Sequence, residues 1–253
     1  MIAGSDSSAG AGLQADLKAA QFFGVYAQTV VTAVTAQNTR GLLAVQAMPP
    51  ELVRAQIAAA LNDIGADAIK IGMLGNAAIA AAVADTLDNS DLPLVLDPVL
   101  ASTSGAPLLD EAGVEILKSR LLPRATLVTP NIPECAALVD VKPDSDHAMR
   151  NAAQAFAFLG CRAVLFKDGH GEGPVVRDVL VFDSVLTPFV SPRRETRHTH
   201  GTGCTLATAI ACGLAEKLSL TEAVTRAEAF VQEAIRTAPG LGQGHGPLNH
   251  LSK

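Results

Sequence analysis

The sequence predicts an α/β protein built on a central, mostly parallel sheet with helices on both faces. Three observations carry this. Strand-like and helix-like segments alternate along nearly all of the 253 residues, and repeated β–α units place their helices on both faces of a parallel sheet. Hydrophobic residues make up 49% of the chain and charged ones 17%, which is enough apolar surface for a large core. No internal repeat or low-complexity linker divides the chain, so residues 1–253 are read as one domain, with two small domains as the alternative.

The elements follow in order. A short opening strand runs into Gly4-Ser5-Asp6-Ser7-Ser8, and Gly10 and Gly12 permit a tight turn into a helix. Residues 25–37, rich in Val and Thr, read as a strand, residues 51–63 as a helix and 68–72 as a strand. An Ala-rich helix over 76–87 precedes a strand over 92–96, and a helix over 112–121 precedes a strand over 125–129. Residues 147–159 read as a helix and 162–167 as a strand; residues 175–190 break the rhythm with two strand-like pieces, which predicts an added hairpin. The last helix is the clearest. Ser219 and Glu222 have capping-box spacing, and Leu220, Ala223, Val224, Ala227, Phe230, Val231, Ala234 and Ile235 mark one apolar face.

Composition excludes several classes. Net charge is −6, no basic run stands out, and there is one Tyr and no Trp. Nucleic acid is therefore not expected as a partner, because phosphate-backbone binding needs clustered Lys and Arg. The longest stretch free of polar side chains covers residues 77–84, too short to cross a bilayer. Met1-Ile2-Ala3-Gly4 has neither a basic start nor a secretory apolar core. Cys135, Cys161, Cys204 and Cys212 show no Cys-x-x-Cys spacing, which argues against structural zinc and a disulfide framework. These features predict a soluble protein of the reducing cytoplasm.

In a fold of this class ligands bind beyond the carboxyl ends of the strands. Gly4 to Ser8, Gln37-Asn38, Gly72-Met73, Asp97-Pro98, Thr129-Pro130-Asn131 and Lys167-Asp168-Gly169-His170 all follow strands, so polar and glycine residues gather at one edge. Gly10-Ala11-Gly12-Leu13-Gln14-Ala15 loosely matches a dinucleotide fingerprint. No Asp or Glu stands between Asp16 and Glu51 to hold a ribose, and no Walker lysine follows a glycine loop. Asp16 reads more readily as a charge near a helix N-terminus than as a ligand contact.

Gly201-Thr202-Gly203-Cys204 is more specific. Its glycines let backbone N–H groups converge at a helix start, where an anion is favoured, as a transferring phosphoryl group requires. A glycine turn before a buried helix, with Cys204 as a small core residue, explains the motif equally well. Asp97 and Glu134 come from different strand ends, which suits Mg²⁺ with its few carboxylates and several waters. The other reading makes Asn131 a helix cap with Glu134 in the first turn. Lys167 could bridge phosphates or merely mark a strand end. His198 and His200 read as loop residues.

Seven segments in order carry a resemblance: "IAGSDSSAGAGLQADLK", "VTAVTAQNT", "IKIGMLG", "VLDPVLASTSGAPLL", "LVTPNIPE", "HTHGTGCT" and "GHGPLNH". The sequence resembles the hydroxymethylpyrimidine/phosphomethylpyrimidine kinases of thiamine biosynthesis, within the ribokinase-like superfamily. The resemblance implies a three-layer fold and two ATP-dependent phosphorylations, of 4-amino-5-hydroxymethyl-2-methylpyrimidine and then of its phosphate. It implies that Asp16 and Gln37 bind the aminopyrimidine, with Gly4 and Met73 lining its pocket. Lys167 would neutralise phosphate charge and Gly201, Thr202, Gly203 and Cys204 would form the anion hole. Asn131, Lys167 and Thr202 would meet the nucleotide phosphates, and Asp97 and Glu134 would hold Mg²⁺. A homodimer is implied as well.

This sequence also departs from its relatives. They carry several residues before the first strand, so that edge is expected to be less secure here. Ala9 stands where glycine is common, and Lys167-Asp168-Gly169-His170 replaces Lys-Gly-Gly-His, putting a negative charge beside the phosphate lysine. Related sugar kinases carry Asp where Cys204 stands. A thiol at a helix N-terminus is expected to have a lowered pKa and to take the hydroxymethyl proton. The alternatives are a pyridoxal kinase, against which Gln37 and Met73 speak, and a non-catalytic pyrimidine sensor, against which Cys204, Lys167, Asp97 and Glu134 together speak.

Overall fold

The computed structural model describes residues 1–102, 105–168 and 173–251. Its strands are β1 (Ile2–Asp6), β2 (Val30–Asn38), β3 (Gly41–Ala47), β4 (Ile69–Ile71), β5 (Leu94–Leu96), β6 (Leu127–Val128), β7 (Ala163–Phe166), β8 (Val175–Phe182) and β9 (Val185–Pro192). Among the described residues they form one nine-stranded sheet in the order β3-β2-β1-β4-β5-β6-β7-β8-β9. The stretch from β2 to β7 is parallel, while β3 pairs antiparallel with β2 at one edge, and at the other β8 pairs antiparallel with β7 and β9 with β8. The six parallel strands therefore end on the same side.

Two helical layers cover the sheet. The helices are α1 (Gly12–Phe22), α2 (Pro50–Asn62), α3 (Ala77–Leu87), α4 (Glu111–Ile116), α5 (Ile132–Val139), α6 (Asp146–Phe158), α7 (Thr202–Ala215) and α8 (Leu220–Arg236). Residues of α2, α3, α5 and α6, such as Ile57, Val83, Leu138 and Phe156, pack with Ile71, Leu96 and Val164 on one face. On the other face α1, α7 and α8 bring Ala19, Ile210, Ala227 and Phe230 against Val95, Leu127 and Leu180. Strand residues alternate between the two cores, as a pleated sheet covered on both faces requires. The capping box at Ser219 and Glu222 is present, and the apolar stripe of α8 is its buried face.

The differences from the expected elements have physical causes. The strand expected over 25–37 starts only at Val30, and β3 was not foreseen. The segment Leu42-Leu43-Ala44-Val45 does not alternate, because it forms an exposed edge; Leu43 is 75% exposed. The central strands are shorter than expected because the chain leaves the ladder to form the loops at their ends. Asn131 does cap a helix, α5, through a complete capping box with Glu134. Ala9, where the resemblance leads to an expected glycine, has φ of 58°, a left-handed conformation that glycine adopts without steric cost. None of the helices among the described residues is long and apolar enough to cross a membrane.

Candidate active site

The candidate site is assembled where the β1 loop meets the start of α7. Gly201 is the residue before α7 and has φ of 85°. A Cβ there would stand 1.8 Å from the Gly10 carbonyl oxygen, so only glycine allows the two loops to meet. Gly12 is equally constrained, since its Cβ would stand 2.3 Å from the Gly4 oxygen. Gly4 lies at an irregularity of β1 between the pairs Ala3–Val31 and Ser5–Val34. It faces Met73, whose sulfur would be 2.9 Å from a Cβ at position 4. Gly4, Gly12, Met73 and Cys204 are thus contiguous, with the Gly12 amide directed at the Cys204 sulfur.

At the start of α7, the Thr202 amide bonds to the Thr199 oxygen at 3.2 Å and the Thr205 amide closes on the Gly201 oxygen at 2.9 Å. Helix geometry leaves the Gly203 and Cys204 amides as the outward donors of this turn. The Thr202 hydroxyl donates to the Thr199 oxygen at 2.7 Å. Beneath Gly203 lies an ion pair. Lys167, at the end of β7, donates to Asp97 Oδ1 at 2.8 Å, and the Thr129 hydroxyl donates to the same oxygen at 3.1 Å. A Cβ at position 203 would be 3.3 Å from Lys167 Nζ and 3.4 Å from Asp97 Oδ2. Burial alone would lower the Lys167 ammonium, but Asp97 and Glu134 hold it above its ordinary value.

Asn131 and Glu134 are next to this pair. The Asn131 side chain accepts from the Glu134 amide, and Glu134 Oε2 accepts from the Asn131 amide, both at 2.8 Å. Burial pushes the Glu134 carboxyl up to about 7; Lys167 opposes the rise and Asp97 adds to it. No group of three or more His, Cys, Asp or Glu converges on one point among the described residues. Two carboxyls near a lysine nevertheless fit Mg²⁺, which completes its shell with water and phosphate oxygens.

Asp16, which the resemblance assigns to the aminopyrimidine, lies beneath the site in contact with Lys70. It is fully buried in α1, and its two oxygens each accept from Lys70 Nζ at 2.9 Å. Oδ1 also accepts from the Thr208 hydroxyl at 2.7 Å. Burial would lower the Lys70 ammonium, but the charge and hydrogen bonds of Asp16, with the charge of Asp97, hold it high. The expected depression of the Cys204 pKa is corrected. Burial pushes this thiol up to about 11; the Lys70 charge opposes that rise, while Asp16 and Asp97 reinforce it. Desolvation outweighs the pull of the helix start.

Gln37, at the end of β2, reaches His200, whose Nε2 lies 3.0 Å from the Gln37 side-chain nitrogen and 2.9 Å from Asp6 Oδ2. The C-terminal segment straps this corner together. The Gly246 oxygen accepts from the His200 amide, the His245 amide donates to Thr39 beyond β2, and Thr205 meets buried His250 at 2.9 Å. Asp168 approaches Arg193 at 3.8 Å, and its amide donates to Asp178; Gly169 and His170 lie outside the described residues. An open cleft of about 400 Å³ lies alongside, between β9's tail and the end of α8, lined by Arg193, Arg194, Thr196, Ile235 and Arg236.

The sequence assigns no role to Lys70 or Thr208, places Asp6 only among the polar residues after the first strand, and presents His200 as a loop residue. Lys70 carried a signal, as a lone charge inside an apolar strand. His200 carried none beyond its place before Gly201.

A glycine turn at a helix start, above a Lys–carboxylate pair and at the carboxyl ends of parallel strands, has the chemistry a phosphotransferase needs, and the fold that carries it is ribokinase-like. Residues 6–249 match the family model described as phosphomethylpyrimidine kinase, and the chain belongs to that family. A hydroxymethylpyrimidine/phosphomethylpyrimidine kinase of Streptomyces coelicolor is 46% identical over 98% of this chain and 92% of its own length. The thiamine biosynthesis bifunctional protein ThiED of Geobacter sulfurreducens is 45% identical over 99% of the chain, which spans 51% of that longer protein. An ADP complex of Bacillus subtilis pyridoxal kinase superposes with a TM-score of 0.91 at 34% identity, covering 98% of this chain and 95% of that one.

The buried ion pair makes a stability prediction. Lys70→Met strands the Asp16 carboxylate and is expected to cost about 3–5 kcal/mol in chemical denaturation. Adding Asp16→Leu to Lys70→Met should recover most of that loss. A single variant as stable as the native chain would show that the pair carries no such weight.

Proposed function

We propose that this chain moves the γ-phosphoryl group of ATP to the hydroxymethyl oxygen of 4-amino-5-hydroxymethyl-2-methylpyrimidine, and then a second one to the resulting phosphate. The observation that carries the two-step reading is the thiol at position 204, which burial pushes up to about 11. It is neutral in the resting site and puts no charge against an anionic acceptor, where a fixed carboxylate would repel it.

In each step a bond forms from the acceptor oxygen to the γ-phosphorus as the bond to the bridging oxygen breaks and ADP leaves. The Gly203 and Cys204 amides and Lys167 meet the charge on the transferring group. Asn131 and Thr202 bound the phosphate path. Mg²⁺, held by Asp97 and Glu134, supplies charge neutralisation at the phosphates when bound. Gly4, Met73 and Gln37 form the acceptor pocket, and Asp16 acts from beneath through Lys70. The arginine-lined cleft beside α8 suits the nucleoside part of ATP, with Arg193 bridging it to Asp168 next to Lys167.

The alcohol has a proton to lose; the phosphate acceptor is already ionised. The minority thiolate of Cys204 takes that proton. Its fraction grows about tenfold per pH unit below the thiol's pKa, so the alcohol step should accelerate with pH. The four free cysteines are consistent with a reducing compartment such as the cytoplasm.

A second reading, phosphorylation of pyridoxal, is favoured by the close superposition on the Bacillus subtilis pyridoxal kinase. Parallel assays with both acceptors separate the two. The exposed apolar hairpin of β2 and β3, with Val34, Leu43 and Val45, suits self-association into a homodimer. Leu43→Glu should then sediment as a monomer; a native chain already monomeric would contradict the dimer.

The main test is mass spectrometry of products formed from hydroxymethylpyrimidine, ATP and Mg²⁺. Both the monophosphate and the pyrophosphate are expected, and absence of either product would refute that step. For the alcohol, kcat/KM should rise from neutral to alkaline pH. Cys204→Ala should abolish the rise and lower the rate about 10²–10⁴-fold. The monophosphate reaction should be largely spared, and equal losses for both acceptors would count against the base.

A further inference from the structure

His200 joins the β1 loop, β2 and the start of α7, and the chemistry above gives it no task. It is 5% exposed. Its Nε2 has two close neighbours, Asp6 Oδ2 at 2.9 Å and the Gln37 side-chain nitrogen at 3.0 Å. One imidazole nitrogen cannot satisfy both as they stand. A protonated Nε2 donates to Asp6 but meets the Gln37 NH₂ donor to donor. A bare Nε2 accepts from Gln37 but turns its lone pair on a carboxylate.

Asp6 decides between them. Its carboxylate accepts from the Ser8 amide and hydroxyl and from the Gly10 and Ala11 amides, at 2.8 to 3.1 Å. Burial opposes its charge, but the bonds from His200, Ser8 and Ala11 hold the carboxyl down at about 2. Such a group has no proton to offer, so the proton between Asp6 and His200 belongs to Nε2. Neither residue can step aside. Gln37's backbone bonds to Ser7 Oγ through both its N–H and its oxygen, each at 2.8 Å. Gly10 packs on the ring, where a Cβ would be 2.5 Å from His200 Cδ2. The Gln37 amide is the group free to adapt. A half-turn exchanges its oxygen and nitrogen without altering its shape.

We propose that His200, held in its Nε2–H tautomer by Asp6, sets the hydrogen-bond polarity of Gln37. Nε2–H is shared between Asp6 Oδ2 and the Gln37 amide oxygen, and the Gln37 NH₂ is left as the donor offered to the acceptor ring. His200 is a positioning residue. The ring it favours is a heteroaromatic that presents a nitrogen lone pair at that edge, as an aminopyrimidine does and a protonated pyridine does not. The inference rests on the reading of Gln37 as a ring contact and deepens it.

Two measurements on the full chain test it. With ¹⁵N-labelled histidine, a long-range ¹H–¹⁵N correlation reads the His200 tautomer without any ligand, assigned by its loss in His200→Gln. Nε2 is expected to be the protonated nitrogen; a bare Nε2 overturns the proposal. In kinetics, His200→Phe should raise KM for hydroxymethylpyrimidine about tenfold, the scale of one hydrogen bond, while KM for ATP stays put. His200→Gln keeps an amide donor and should recover most of that loss. An unchanged pyrimidine KM in His200→Phe overturns the proposal, as does equal damage from both variants with loss of stability. If the native chain phosphorylates no pyrimidine, the functional reading fails, and the tautomer measurement alone decides the polarity of Gln37.

Discussion

A methyl group at position 201 would stand 1.8 Å from the Gly10 oxygen, and much of the site follows from that backbone approach. It brings the start of α7, with its outward amides, onto the loop that leaves β1. Asp6, the last residue of β1, accepts from that loop's amides and through His200 reaches Gln37 at the end of β2. The turn before α7 and the end of β2 are therefore fixed to each other, through a backbone contact at one end and the Asp6–His200–Gln37 side chains at the other. Loops set by van der Waals contact cannot drift by fractions of an ångström without a clash. Phosphoryl transfer, which depends chiefly on positioning, needs that kind of rigidity.

Charge is layered beneath this turn. Lys70 and Asp16 form a pair with both side chains fully buried, and Lys167 and Asp97 form a second pair that is nearly so. Each lysine keeps its proton against desolvation because a carboxylate is fixed beside it. Cys204 lies near both pairs and is left neutral. In the proposed reading Lys167 is the cation offered to phosphate, while Cys204 itself adds no charge where the acceptor would bind. That combination suits an acceptor that is an alcohol in one turnover and a phosphate in the next.

Much of this was legible in the sequence. Regular alternation of strand and helix signals gave the parallel sheet, and the cap and stripe of α8 fixed its face. The loops after β1, β2, β4, β5, β6 and β7 stood out because polar and glycine residues followed apolar runs. Hidden features depended on distant partners. Nothing local to Lys70 reveals Asp16, 54 positions away. His200 looked like a loop residue because Asp6, 194 positions earlier, is what gives it a role. The thiol's pKa was misjudged because the helix start is a local feature, whereas burial depends on the assembled fold. The edge strand β3 lacked the alternation that only a half-buried strand must show.

The central claim is spatial: amides at the start of α7 face the transferring phosphate while the acceptor ring rests against Gln37 and Met73 on the same floor. A crystal structure with a non-hydrolysable ATP analogue and hydroxymethylpyrimidine tests it most directly. The account predicts the γ-phosphate within hydrogen-bond reach of the Gly203 and Cys204 amides and the hydroxymethyl oxygen next to the Cys204 sulfur. A ring bound away from Gln37, or a phosphate held elsewhere with the turn at Gly201 closed to it, would contradict the account.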